Sequence, residues 1–262
     1  MVFCLNKYPR LRVFFCLLVF TGLSDNLFAE EVNIAVASNF KYTLEKLAAD
    51  FKVKTGHDLV ISSASSGKLF AQIIHGAPYH IFLSADESRA DLLISKRRVR
   101  ANNSYVYALG KLVLLSNLKP RHDCKDVLYS RRIKHLAIAN PKIAPYGAAA
   151  EQVLTKLGLW QQLKPRLVIA ENIAQASLFV ATGNAEAGFV ASSVLAGAKR
   201  QSMDVIDAGC VWEVPADMYL PIKQKMVILN KAETNPAARD FFQYMQSGEA
   251  KSIIQAAGYD VL

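Results

Sequence analysis

Between residues 30 and 260, short β-branched and aromatic runs alternate with segments whose apolar positions recur every three or four residues. Val32 to Ala37 reads as a buried strand, and Asn39 to Lys54 as a helix with Leu44, Leu47, Ala48 and Phe51 on one face. The same alternation continues. Strands are predicted at Asp58 to Ser63, Tyr79 to Ser84, His135 to Ala139, Arg166 to Ala170, Ala187 to Val190 and Lys225 to Leu229. Helices are predicted at Gly67 to His75, Glu87 to Ser95, Gly147 to Leu157, Ile173 to Thr182, Pro236 to Gln246 and Gly248 to Ala257. Tyr105 to Leu115 reads as one long strand. Alternation of this kind predicts an α/β protein with mostly parallel sheets. Three strand–helix units end near Arg100, and a fresh alternation starts after the long strand, which predicts two domains.

The junctions between elements carry the candidate chemistry. Ala64-Ser65-Ser66-Gly67-Lys68-Leu69 stands between a strand and a helix, and so does Ala37-Ser38-Asn39. Such junctions put hydroxyls and unpaired N–H groups at a helix N-terminus, where an anion binds without a cationic side chain. Taken singly, each is an ordinary N-cap. Both lie at carboxyl ends of strands, the edge at which open α/β sheets bind ligands, so they can face one crevice.

The N-terminus has the three-part pattern of a secretory signal. Lys7, Arg10 and Arg12 precede the apolar run Val13 to Leu23, and Leu27-Phe28-Ala29 follows. Cleavage is expected after Ala29, which gives an exported chain starting at Glu30. Without residues 1–29, 28 basic and 21 acidic residues remain. The basic clusters at Lys96 to Arg100, Arg131 to Lys134 and Lys199-Arg200 accompany no nucleic-acid motif, so they read as solvated surface that attracts anions. Cys124 and Cys210 are the two cysteines left after export. In an oxidising compartment they form either one disulfide or two buried thiols, and their spacing in sequence does not choose between these.

Further details accompany the two serine junctions. Gly76-Ala77-Pro78 leads into Ile81-Phe82-Leu83-Ser84-Ala85-Asp86, Pro145-Tyr146-Gly147 opens a helix, and Glu171-Asn172-Ile173 opens another. Together, from Val32 to Val261, these resemble the periplasmic molybdate-binding proteins of ABC importers. The resemblance implies an α/β, two-lobed type II periplasmic-binding-protein fold with two crossover strands that closes over a tetrahedral oxyanion. It implies a signal peptide at 1–29, one lobe at 30–110 and 225–262, and a second at 111–224. It also implies oxyanion-binding positions at Ser38, Asn39, Ser66, Tyr146 and Ile173. The expected donors are serine hydroxyls, the Asn39 amide, the Tyr146 hydroxyl and backbone N–H groups. Many members have a ligand-facing tyrosine where this chain has Ala191 after Phe189-Val190, while Asn39 and Tyr146 match a variant of the family without it.

The resemblance further implies no catalytic residue and no cofactor. Molybdenum enters only as bound molybdate, with tungstate as a second ligand. The expected partners are that oxyanion and an ABC-transporter permease, with no nucleic acid, and the chain is expected to act in the periplasm as a monomer. Sulfate or phosphate is the alternative ligand, and an exported enzyme on the same fold the alternative class. Ser66-Gly67-Lys68 is superficially like a P-loop, but Ser62 and Leu69 stand where that motif needs Gly and Ser or Thr. Gly-x-Ser-x-Gly is absent, and the five histidines have no recognised metal-ligand spacing.

Overall fold

The computed structural model describes residues 30–120, 122–200 and 209–262. The expected signal segment, 1–29, lies outside the described residues.

Two five-stranded sheets, each flanked by helices, form two lobes. In the first sheet, β1 (Glu31–Ala37) pairs in parallel with β2 (Asp58–Ala64) and β3 (Ile81–Ser84). Beside β3 run β10 (Ile222–Ile228) and β4 (Ser104–Gly110), giving the order β2-β1-β3-β10-β4. The second sheet has the order β7-β6-β8-β5-β9. Its strands are β5 (Leu112–Ser116), β6 (Leu136–Ala139), β7 (Leu167–Ala170), β8 (Ala187–Ala191) and β9 (Cys210–Glu213).

Both sheets are mixed rather than mostly parallel. β10 is antiparallel to β3 and β4, and β5 is antiparallel to β8 and β9. The antiparallel strands are those next to the crossings between lobes, where the chain returns instead of winding on.

The predicted strand Tyr105 to Leu115 is divided. β4 ends at Gly110 in the first sheet and β5 begins at Leu112 in the second. A Cβ at Gly110 would overlap the Tyr146 hydroxyl, so only glycine lets the chain cross there. The return crossing ends in β10, which begins three residues earlier than the sequence suggests. Its pairing with β4 shifts register between Gln224 and Lys225. β9 and the helix Ser192–Arg200 carry no sequence expectation; Ala191-Ser192 joins β8 to that helix without a turn signal.

Helix ends follow from local chemistry. Ser65 accepts from the Lys68 N–H to start α2 (Ser66–Ile74) after α1 (Lys41–Thr55), and Asp86 accepts from Arg89 N–H to start α3 (Glu87–Ser95). Proline at the first position opens α4 (Pro145–Lys156), which the short α5 (Trp160–Leu163) follows. Asn172 caps α6 (Ile173–Ala181), ahead of α7 (Ser192–Arg200). Asn235 caps α8 (Pro236–Tyr244) and Ser247 caps α9 (Gly248–Ala256).

Each lobe has its own core. In the first, Ile34, Val36, Leu44, Leu47 and Phe51 pack with Phe241 of α8, and the Phe51 and Phe241 rings meet edge-on at 5.2 Å. In the second, Leu112 to Leu115, Leu136 to Ala139, Val153, Val180 and Phe189 pack together. Cys124 and Cys210 form a disulfide, which ties the segment Cys124–Tyr129 to β9. Among the described residues, no helix is long and apolar enough to cross a membrane.

Candidate functional site

Parallel register brings the two serine junctions together. Ala37 is level with Ala64, so the turns after β1 and β2 leave their sheet side by side, tied by Ser38 N–H to the Ala64 carbonyl at 3.0 Å. In the second sheet Ala139 is level with Ala170, which sets the starts of α4 and α6 next to each other. The strand ends of both lobes face one another. Between them is a small cavity of about 10 Å³, about the space that holds one water.

All five residues expected from the sequence line this cavity: Ser38, Asn39, Ser66, Tyr146 and Ile173. Ala37, Ser65, Ala85, Ala144, Pro145 and Asn172 complete the wall. The five come from the starts of α1, α2, α4 and α6, and none is more than 7% exposed.

Donors without partners converge there. Among the described residues, the N–H groups of Asn39, Ser66, Tyr146 and Ile173 and the Ser38 hydroxyl make no hydrogen bond. The Ser66 hydroxyl accepts from the Ala85 N–H at 2.9 Å, which leaves its own proton to be donated. Three of the N–H groups stand in the first turns of α2, α4 and α6, where the helix dipole adds positive potential. Among the described residues, no lysine, arginine, histidine or carboxylate lines the cavity.

One expected side-chain donor, the Asn39 amide, is engaged elsewhere. The Asn39 amide donates to Gln224 Oε1 at 2.9 Å and to the Tyr259 hydroxyl at 3.0 Å, which uses both its hydrogens. The Tyr146 hydroxyl accepts from Gln224 Nε2 at 3.1 Å. Asn39 therefore presents main-chain N–H to the cavity, while Tyr146 has its main-chain N–H and a hydroxyl proton that Gln224 does not use. Burial pushes the phenols of Tyr107, Tyr146 and Tyr259 above their ordinary range, so they stay protonated at neutral pH. Ala191, in the family-tyrosine position, is fully buried.

The lobes also touch at the rim. Gly67 N–H donates to the Ile143 carbonyl at 2.9 Å, and a Cβ at Gly67 would come within 2.9 Å of three Ile143 atoms. Lys68 reaches across to Glu171 at 2.9 Å, both half exposed, so its charge is paired at the surface and not spent on the cavity. Arg89 donates to the Lys142 carbonyl at 3.3 Å.

Sequence reasoning did not single out Ala85 or Gln224. The Ala85 N–H holds Ser66, and main-chain donors of this kind leave no residue-type signal. Gln224 stands between two lysines in a strand whose alternation reads as ordinary.

Two lobes joined by crossing strands, with helix starts closing on a small polar cavity, define an extracellular solute-binding protein. A family model described as bacterial extracellular solute-binding protein matches residues 32–260. The molybdate-binding protein ModA of Azotobacter vinelandii is 45% identical over 234 residues, spanning 88% of this chain and 90% of that protein. The ModA of Rhodobacter capsulatus is 41% identical over 238 residues, spanning 91% of each. The solved Azotobacter vinelandii periplasmic molybdate-binding protein superposes with a TM-score of 0.81 at 41% identity, covering 88% of this chain and 99% of that one. The chain belongs to the ModA family of extracellular solute-binding proteins.

Proposed function

We propose that this protein captures molybdate, and tungstate with it, in the cavity between its lobes and delivers the ion to the permease of an ABC importer. It is a binding protein and not an enzyme, as its relatives are named for binding alone. We place it in the periplasm as a monomer, exported by residues 1–29. The lobes we assign are 30–110 with 225–262, and 111–224. The β10 register shift at Gln224/Lys225 supports the second boundary, as does Ile222, which packs in the core of the second lobe.

The observation that carries the reading is the convergence of Ser38, Asn39, Ser66, Tyr146 and Ile173 on one buried cavity with unpaired donors and no charged side chain. A dianion removed from water needs every oxygen met by a donor. Neutral donors held by helix starts meet that need and fix the spacing of the oxygens. Among the described residues, no carboxylate lines the cavity to accept the proton of a protonated oxyanion such as hydrogen phosphate, which favours fully deprotonated ions. An ion smaller than the cavity leaves donors unpaired, which disfavours sulfate.

Thermal melting tests the reading at small scale. Molybdate at a thousand times its dissociation constant should add about 4 kcal/mol of stability. Ser66→Ala removes a hydroxyl donor to the ion and should weaken binding by roughly 10- to 150-fold, from about 1.5–3 kcal/mol for a hydrogen bond to a charged group. Titration calorimetry measures it, and an unchanged Kd would remove Ser66 from contact with the ligand.

A further inference from the structure

We infer that Gln224 is a positioning residue for the oxyanion site, holding Asn39 of one lobe and Tyr146 of the other so that their N–H groups address the same ion. The inference rests on the reading of the cavity as an oxyanion site. Gln224 is fully buried on β10, the strand by which the chain returns to the first lobe. Its one amide bonds to both lobes. Oε1 accepts from Asn39 Nδ2 at 2.9 Å and from the Tyr107 hydroxyl at 3.0 Å. Nε2 donates to the Tyr146 hydroxyl at 3.1 Å. The amide end that faces Asn39 Nδ2 must be the acceptor, so the network itself dictates which way Gln224 points.

Asn39 is held from its other side as well. Its amide also donates to Tyr259, while its carbonyl accepts from the Tyr259 hydroxyl at 2.8 Å and from Ser193 Oγ at 3.1 Å. With side chain and carbonyl fixed, the remaining main-chain donor is the N–H at the cavity. Tyr146 is fixed in the same way: its ring tip meets Gln224 beside Gly110, and its backbone forms the start of α4. Ion-facing N–H groups weaken steeply with misalignment, so a shared anchor behind them sets how well both bond at once. Because the two N–H groups come from opposite lobes, the same anchor fixes their separation, and with it the size of oxyanion that fits.

The test is calorimetry with molybdate and sulfate on the full-length mature protein, comparing wild type, Gln224→Met, Tyr146→Phe and the double variant. Gln224→Met keeps the bulk and removes the hydrogen bonds. Tyr146→Phe keeps the ring and the backbone N–H and removes only the atom Gln224 holds. Each single variant should bind molybdate at least tenfold more weakly and show a reduced molybdate-to-sulfate preference. The double variant should bind within about twofold of the weaker single one, since both cut the same link. A folded single variant that binds within twofold of wild type, an unaltered preference, or losses that simply multiply would overturn the assignment. If Gln224→Met does not fold, Tyr146→Phe decides alone on affinity and preference. Wild-type protein that binds no molybdate would instead defeat the ligand reading, a result distinct from any of these.

Discussion

Removing the Cys124–Cys210 bridge is expected to lower folding stability by about 2–5 kcal/mol. The bond closes a loop with a sequence separation of 86. The chain-entropy model assigns a loop of that size roughly 4.5 kcal/mol, through restriction of the unfolded chain. The effect should be seen as a fall in melting temperature of Cys124→Ser/Cys210→Ser, at roughly 2–4 °C per kcal/mol for a chain of this size. Neither cysteine lines the cavity, so the Kd for molybdate should stay within about twofold of wild type at temperatures where the variant is folded. A melting temperature unchanged from the oxidised wild type would show that the bridge adds nothing to stability.

The second large effect is expected at Gly67. It stands where the two lobes touch, with the Ile143 main chain in the space a side chain would take. Gly67→Val adds three carbons there. Overpacking of a tight contact costs about 1–3 kcal/mol, so closure should become at least roughly 5- to 150-fold less favourable. Parting the lobes would relieve that cost, so if the lobes part when no ligand holds them, the variant without ligand should be about as stable as wild type. Calorimetry should show weakened molybdate binding, and melting without ligand should show no large change. If Gly67→Val bound as tightly as wild type, the contact at Ile143 would not be part of the liganded state.

The candidate site was legible from the chain because its donors sit at strand-to-helix junctions. Ser38, Ser66, Tyr146 and Ile173 each open or adjoin a helix, and parallel register then places neighbouring junctions side by side. Other features lay beyond one-dimensional reading for physical reasons. Asn39 and Tyr146 are recognisable as site residues, but the direction of their side chains is set by Gln224 and Tyr259, distant in sequence. The break at Lys111 is marked in the sequence only by Gly110-Lys111 inside an otherwise apolar run, because what divides the strand is the crossing to a second sheet. β9 pairs with β5 across about a hundred residues, and the disulfide beside it joins cysteines whose proximity only the fold creates.

Lys68 illustrates how tertiary context assigns a charge. Next to Ser66-Gly67, it looks like an anion ligand, yet it pairs with Glu171 at the rim. Exposed pairs of this kind contribute roughly 0–1 kcal/mol. Binding is therefore assigned to neutral donors and helix starts, and selectivity to their fixed spacing.

That central claim is tested most directly by titrating the mature protein with molybdate, tungstate, sulfate and phosphate in the same buffer by isothermal calorimetry. The account predicts one-to-one binding of molybdate and tungstate, with sulfate at least 100-fold weaker and phosphate weaker still. Binding of sulfate or phosphate with no heat from molybdate or tungstate would contradict it.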